Sequence, residues 1–232
     1  MNFTYEIVSI EKLGENGIGC MYRLMQCYYD NIPRDKFMKD LYAKEGVLLC
    51  RDEKDEICGF TTYTVFETYF NEEKIKVLFS GDTIIREEFW GQWGTVKSFI
   101  SLIRRFLNED NRKCYWFLLT KGVRTYRCLP LYFKKYYPSF QLPTPQYEQQ
   151  LIVHLSRLKF GDYYLENEGV VRLCADRLKE RYLSVKENKF DDPFIQFFMK
   201  KNPGYAIGDE LPCLARISKE NLTTVSRRWL TL

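Results

Sequence analysis

The sequence predicts an α+β fold, a mixed and mainly antiparallel sheet flanked by helices. Three observations carry this. Gly46 to Arg51, Ile57 to Phe70 and Lys74 to Ile85 are strand-like segments that follow one another through short polar turns. Thr95 to about Asn108 is strongly amphipathic at helical spacing. Cys114 to Thr120 then opens on a continuous apolar run and reads as a buried strand.

Residues 3–10 alternate, with Phe3, Tyr5 and Ile7 apolar, and form a first strand candidate. Ile18 to Tyr29 places Met21, Leu24, Met25 and Tyr28 on one helical face. Asn31-Ile32-Pro33 breaks it, and Pro33 suits the first turn of a second helix running to about Lys44. The polar turns Asp52-Glu53-Lys54-Asp55 and Asn71-Glu72-Glu73 separate the three meander strands, whose Thr, Tyr, Val and Phe content fits a pleated surface. In the amphipathic helix Val96, Phe99, Ile100, Ile103, Phe106 and Leu107 fall on one side. Val123 to Tyr136 reads as mostly helical, with Pro138 as a stop. Tyr147 to Leu158 fits strand or helix. Val170 to Tyr182 aligns Val171, Cys174, Leu178 and Tyr182 as a helix, Pro193 to Lys201 is a short aromatic helix, and Leu211 to Ile217 is a last strand.

Composition narrows the class. Of 232 residues 45% are hydrophobic and 28% charged, which supports a sizeable core under an ordinary soluble surface. The net charge of +4 is too small, and its basic residues too scattered, to argue for nucleic acid. An RNA-binding reading would have to use Arg104, Arg105, Lys134 and Lys135. Neither a secretory leader nor a run of about 20 apolar residues is visible, so a cytoplasmic protein with no membrane span is expected. Eight cysteines lie mostly in apolar stretches without metal spacing, and there is one histidine, His154. Reduced thiols and no metal site are expected.

The order helix, helix, three strands, helix, strand, helix over roughly residues 15–137 resembles the GNAT superfamily of acyl-CoA N-acyltransferases. The loop Ile85-Arg86-Glu87-Glu88-Phe89-Trp90-Gly91-Gln92-Trp93-Gly94-Thr95 stands where that family cradles the coenzyme A pyrophosphate. A helix N-terminus offers unpaired N–H donors and the positive end of a dipole there. The loop departs from the family pattern of Gln or Arg, two residues, Gly, one residue, then Gly or Ala. Trp90, Trp93 and Thr95 occupy the three specified positions, and Gly91 and Gly94 supply glycine out of phase. The alternative is an ordinary strand-to-helix turn with two packed tryptophans.

The resemblance implies that Ile84, Ile85, Gly91, Gln92, Gly94 and Thr95 contact an acyl-CoA. Backbone N–H near Ile84 would hold the thioester carbonyl, and Thr95 would cap the helix or meet a phosphate. Leu131-Tyr132-Phe133-Lys134-Lys135-Tyr136-Tyr137 is similar to the family's Phe-Tyr motif, which makes Tyr132 the general acid toward the departing thiolate or else a packed tyrosine. Asp82 is the candidate base for the amine, with Glu67 as competitor and a strand-capping or surface role as the plain alternative.

The expected organisation is a GNAT-like domain over 1–138 and a packed extension over 139–232. The extension is expected to extend the sheet or cover the acceptor side, with Phe194 to Phe198 near the pocket, and to decide which acceptor is used; the plain alternative is a structural cap that only buries a sheet edge. The expected function is transfer of an acyl group from acetyl-CoA, a longer acyl-CoA or an acyl-carrier thioester to an amine by direct attack. The alternative is a non-catalytic ligand- or protein-binding module on the same fold.

Overall fold

The structure is a computed structural model, and it describes residues 4–91, 93–107, 112–173, 176–183 and 191–230. After β1 (Thr4–Ser9), helices α1 (Glu15–Tyr28) and α2 (Arg34–Tyr42) flank the two-residue β2 (Tyr29–Asp30). The meander β3 (Gly46–Arg51), β4 (Ile57–Phe70) and β5 (Glu73–Ile85) leads into α3 (Trp93–Leu107) and β6 (Cys114–Thr120). The short helices α4 (Val123–Tyr126) and α5 (Cys128–Tyr132) follow, then α6 (Gln146–Phe160). Short strands β7 (Tyr164–Leu165), β8 (Val170–Val171) and β9 (Arg177–Leu178) precede α7 (Glu180–Leu183), α8 (Pro193–Lys201), β10 (Leu211–Ile217) and α9 (Thr224–Arg228).

One six-stranded sheet, in the order β1-β3-β4-β5-β6-β10, organises the chain. Only β5 and β6 run parallel; every other neighbouring pair is antiparallel. This is the mixed, mainly antiparallel α+β architecture that the sequence predicts. The last strand comes from the 139–232 segment and pairs with β6 from Leu211↔Thr120 to Ile217↔Cys114, so both segments share one sheet.

Helices cover the two faces of the sheet. Because side chains alternate along a strand, Leu78 and Trp116 point one way and Val77, Phe79 and Phe117 the other. The first side packs on Phe99, Ile100, Ile103 and Phe106 of α3, Leu129 and Tyr132 of α5, and Phe198 of α8. On the second side, Met21, Leu24 and Met25 of α1 and Leu41 join Val47, Leu49 and Phe60. Leu151, Ile152 and Leu155 of α6 complete it against Ile75, Val77 and Phe79. Covered on both faces, β6 must be apolar at consecutive positions, which explains the run from Cys114.

Several local expectations need correction. Val123 to Tyr136 is two short helices, not one. Beyond Tyr132 the backbone leaves the helix to pair elsewhere, Phe133 with Leu222 and Tyr137 with Leu214. Residues 170–182 are not one helix: Val170–Val171 and Arg177–Leu178 are short strands, and helix begins only at Glu180. Val171 exchanges hydrogen bonds with Glu210, and Lys179 N–H donates to Tyr28 O, so tertiary partners replace helical ones. Cys174 and Phe3 lie outside the described residues. The ambiguous 147–158 segment is helical, with its buried face at Leu151, Ile152 and Leu155. The seven described cysteines are free. Among the described residues no helix is long and apolar enough to cross a membrane.

Trp116 is buried, and its Nε1 donates to Ser80 Oγ at 2.8 Å. Ser80 is also the last β5 residue paired with β6. Removing the acceptor leaves a buried indole N–H unpaired, which costs about 1–3 kcal/mol. Ser80→Ala is therefore expected to lower the urea midpoint by that amount of stability. An unchanged midpoint would mean that the bond does not hold the strands together.

Candidate active site

The parallel pairing of β5 and β6 runs only from Lys76↔Cys114 to Ser80↔Leu118. Beyond it both strands continue without pairing to each other, so the sheet opens into a cleft. The opening begins at a bulge. Thr61 pairs with Thr83 and Tyr63 with Ser80, so Gly81 and Asp82 together oppose Thr62. Glycine is required at Gly81, because a Cβ there would stand 2.8 Å from Thr62 Oγ1 and 3.1 Å from Lys44 Cε.

The backbone beyond the bulge has a defined direction. Arg86 N–H donates to Cys58 O, and antiparallel pairs alternate between bonded and unbonded. Ile84 therefore turns its groups toward β4, whereas Thr83 and Ile85 turn theirs to the open side. Trp90 Nε1 donates to Ile85 O at 2.8 Å, which agrees. The donors facing the cleft are thus Thr83 and Ile85, a correction of the expectation centred on Ile84.

At the cleft lies a cavity of about 220 Å³ whose wall includes Lys44, Asp82, Lys121, Lys159, Asp176 and Glu210. Lys121 Nζ lies 2.6 Å from Asp176 and 3.2 Å from Glu210, and Lys36 reaches Asp176 at 3.3 Å. Burial disfavours the charge on Lys121, but Glu210 and Asp176 outweigh it and hold the ammonium above its ordinary range. Burial likewise opposes the Asp176 carboxylate, yet Lys121 and Lys36 keep its pKa below the usual value. For Glu210 burial prevails over Lys121 and the pKa rises.

Asp82 differs from these. It makes no hydrogen bond or ion pair among the described residues. Burial raises its pKa, and the more distant charges of Lys44 and Lys121 offset this only in part. A carboxylate so placed is a better base than an exposed one. Glu67, its competitor, is bound by Lys74 at 2.6 Å and by Arg112, and the Lys74 bond leads in holding its pKa down. Lys159 is driven to about 8 by burial and then by the charge of Lys44.

Tyr132 lies on the other face. Its ring centroid is 4.9 Å from that of Phe99 and 5.9 Å from that of Trp116, and burial pushes its pKa well above the ordinary phenol. The hydroxyl makes no hydrogen bond among the described residues. The structure thus separates Asp82 and Tyr132 by the thickness of the sheet, with the cleft between its two halves.

The loop after β5 turns at Glu87–Phe89 and at Gly91, whose φ of +77° is readily open only to glycine. This reversal starts α3 at Trp93, two residues before the expected Thr95. Thr95 is consequently inside the first turn and is not the cap. Gly94 and Thr95 both belong to that first turn, whose N–H groups lack helical partners. Gln92 lies outside the described residues. Arg124, which the sequence reading missed, stands 3.9 Å over the Trp90 ring and has no carboxylate at ion-pairing distance among the described residues. Lys44, Lys121, Lys159, Asp176 and Glu210 were also missed, since no local pattern joins them.

The aromatic helix α8 is not at this cavity. Phe198 packs on Tyr126 at 5.6 Å and Phe194 on Phe140 at 4.7 Å, on the α4 side of the sheet. The extension reaches the cavity instead through Lys159, Asp176 and Glu210. No group of residues able to hold a metal ion occurs among the described residues.

No protein-family model and no curated protein matches the chain. Among solved structures it is similar to a conserved protein of unknown function from Enterococcus faecalis V583, a probable N-acyltransferase. That likeness has 13% identity over 57% of this chain and 33% of that chain, with a TM-score of 0.41. The chain thus spans a third of the length of that protein. It is also similar to the GNAT family N-acetyltransferase YhbS from Escherichia coli in complex with CoA, with 10% identity over 55% and 67% of the two chains and a TM-score of 0.40. An aminoglycoside acetyltransferase from an uncultured soil metagenomic sample shares 19% identity over 54% and 82%, with a TM-score of 0.39. Likeness at this distance assigns no activity to the chain.

Proposed function

We propose that the chain is an N-acyltransferase that uses an acyl-CoA and passes the acyl group directly to an amine. The observation that carries the reading is the cleft at the bulge. It combines two backbone N–H groups turned to the open side with a carboxylate, Asp82, that has no partner at ion-pairing distance among the described residues. A thioester threaded through the cleft would direct its carbonyl oxygen to Thr83 and Ile85 N–H, which would stabilise the charge that develops there. The pyrophosphate would lie toward Gly91 and the first turn of α3, at Gly94 and Thr95, with Arg124 supplying a cation.

In the reaction the amine gives up a proton to Asp82, its nitrogen bonds to the carbonyl carbon, and the C–S bond breaks. The thiolate takes a proton from Tyr132. No protein nucleophile is needed.

Acetyl-CoA or a longer acyl-CoA is expected to raise the melting temperature. At 100 times Kd a ligand of the folded state adds about 2.7 kcal/mol, or roughly 5–10 °C for a domain of this size. Isothermal titration gives Kd in parallel. Saturating acyl-CoA without a shift or heat would count against the reading. Binding without turnover on any amine would favour a ligand-binding module on the same fold.

A further inference from the structure

The cavity at the bulge pairs its charges on one wall and leaves them unpaired on the other. Lys121 and Lys36 are matched by Asp176 and Glu210. Lys44 and Lys159 are not. Both ammonium groups lie over one ring, that of Phe79, at 5.6 and 4.2 Å from its centroid. Neither has a carboxylate at ion-pairing distance among the described residues. They come from distant parts of the chain, Lys44 just after α2 and Lys159 near the end of α6. Lys44 is pressed against the bulge, its Nζ 3.3 Å from where a Gly81 Cβ would be. Asp82, next in the chain, likewise has no ion-pair partner among the described residues, although the charge of Lys44 acts on it from further away.

Two half-buried cations close to one aromatic ring lose hydration and repel one another, which the depressed pKa of Lys159 reflects. A fold keeps such an arrangement where a ligand completes it. An anion would compensate the two lysines, and the carboxylate of Asp82 in the same wall suits a cation or an amine. The cavity, about 220 Å³, falls below the roughly 300–1,000 Å³ of drug-sized pockets, so its occupant is small.

We infer that the acyl acceptor is a small amine that carries its own anionic group, a carboxylate or phosphonate-like oxyanion a few atoms from the nitrogen. The amine faces Asp82 and the anion sits between Lys44 and Lys159. This rests on the acyltransfer reading and adds the substrate class to it.

The test compares 4-aminobutanoate, 3-aminopropylphosphonate and butylamine as acceptors with acetyl-CoA. Charge-assisted hydrogen bonds of about 1.5–3 kcal/mol predict kcat/KM roughly 10–100-fold higher for at least one anionic amine than for butylamine. The better of the two acids identifies the oxyanion. Lys44→Gln and Lys159→Gln should each erase most of that preference, lowering kcat/KM for the anionic amine at least about tenfold more than for butylamine. Both variants should melt at or above the wild-type temperature, because a desolvated, repelled charge has been removed. Equal use of all three amines, or equal loss on all three in both variants, overturns the inference while leaving the acyltransferase intact. If acetyl-CoA neither binds nor turns over, the functional reading fails instead. Titration of 4-aminobutanoate, 3-aminopropylphosphonate and butylamine into the protein alone then decides the anion site. Saturable binding of an anionic amine that is lost in Lys159→Gln upholds the site, and its absence overturns it.

Discussion

Asp82→Asn is expected to lower kcat by about 10² to 10⁴, the usual range for loss of a general base, with acyl-CoA affinity unchanged. The side chain lines the cavity at the end of the paired part of β5 and has no partner among the described residues. The amide is nearly isosteric and carries no charge to desolvate, so the variant should fold at least as stably as wild type. That separates catalysis from structure. The pH profile gives a second readout. Asp82 works as a base only when ionised, and burial places its pKa above the ordinary carboxylate value. Activity should therefore rise as pH increases through that raised value and then level. This acid limb should vanish in Asp82→Asn. The limb from the amine's own deprotonation lies near about 10 and should remain. Turnover within about threefold of wild type, with the acid limb intact, would make Asp82 a wall residue.

How much of this was legible in the sequence follows from the range of the forces involved. The α3 face and the β6 run were readable because periodicity and burial are local: every residue from Cys114 to Leu118 is buried and the sequence there is apolar throughout. Asp82 stood out as a carboxylate inside a strand. The 170–182 segment was misread because its backbone groups find partners on Glu210 and Tyr28, which no local pattern encodes. The paired charges of Lys121, Asp176 and Glu210 come from three stretches joined only by the topology, as β6, the segment before β9 and the start of β10 converge. Lys44 and Lys159 look like ordinary surface lysines in sequence, one after a helix and one at a helix end. The loop after β5 was half legible. Glycine was visible, but the left-handed turn at Gly91 fixes where α3 begins, and with it which N–H groups are free.

Tyr132→Phe should lower turnover by about 10² to 10⁴ if the phenol protonates the departing thiolate. The opposing argument is packing. The ring is wedged among Phe99, Trp116 and Phe133, and a residue 95% buried in an aromatic cluster needs no catalytic reason to be there. Phenylalanine keeps that ring and every contact it makes, so stability should hardly change whichever role is correct. What changes is the hydroxyl. It makes no hydrogen bond among the described residues, so it is available to a ligand. Burial raises its pKa, so it holds its proton at neutral pH but gives it up less readily than an ordinary phenol. The two roles separate on leaving-group dependence. An acid matters most for a poor leaving group, so the loss in Tyr132→Phe should be large with acetyl-CoA and shrink with an acyl donor whose thiol is more acidic, such as a thiophenyl ester. An equal, small loss on both donors would assign Tyr132 to the core. The same result would leave the thiolate to depart without help from this side of the sheet, and the cleft would then serve only the carbonyl and the amine.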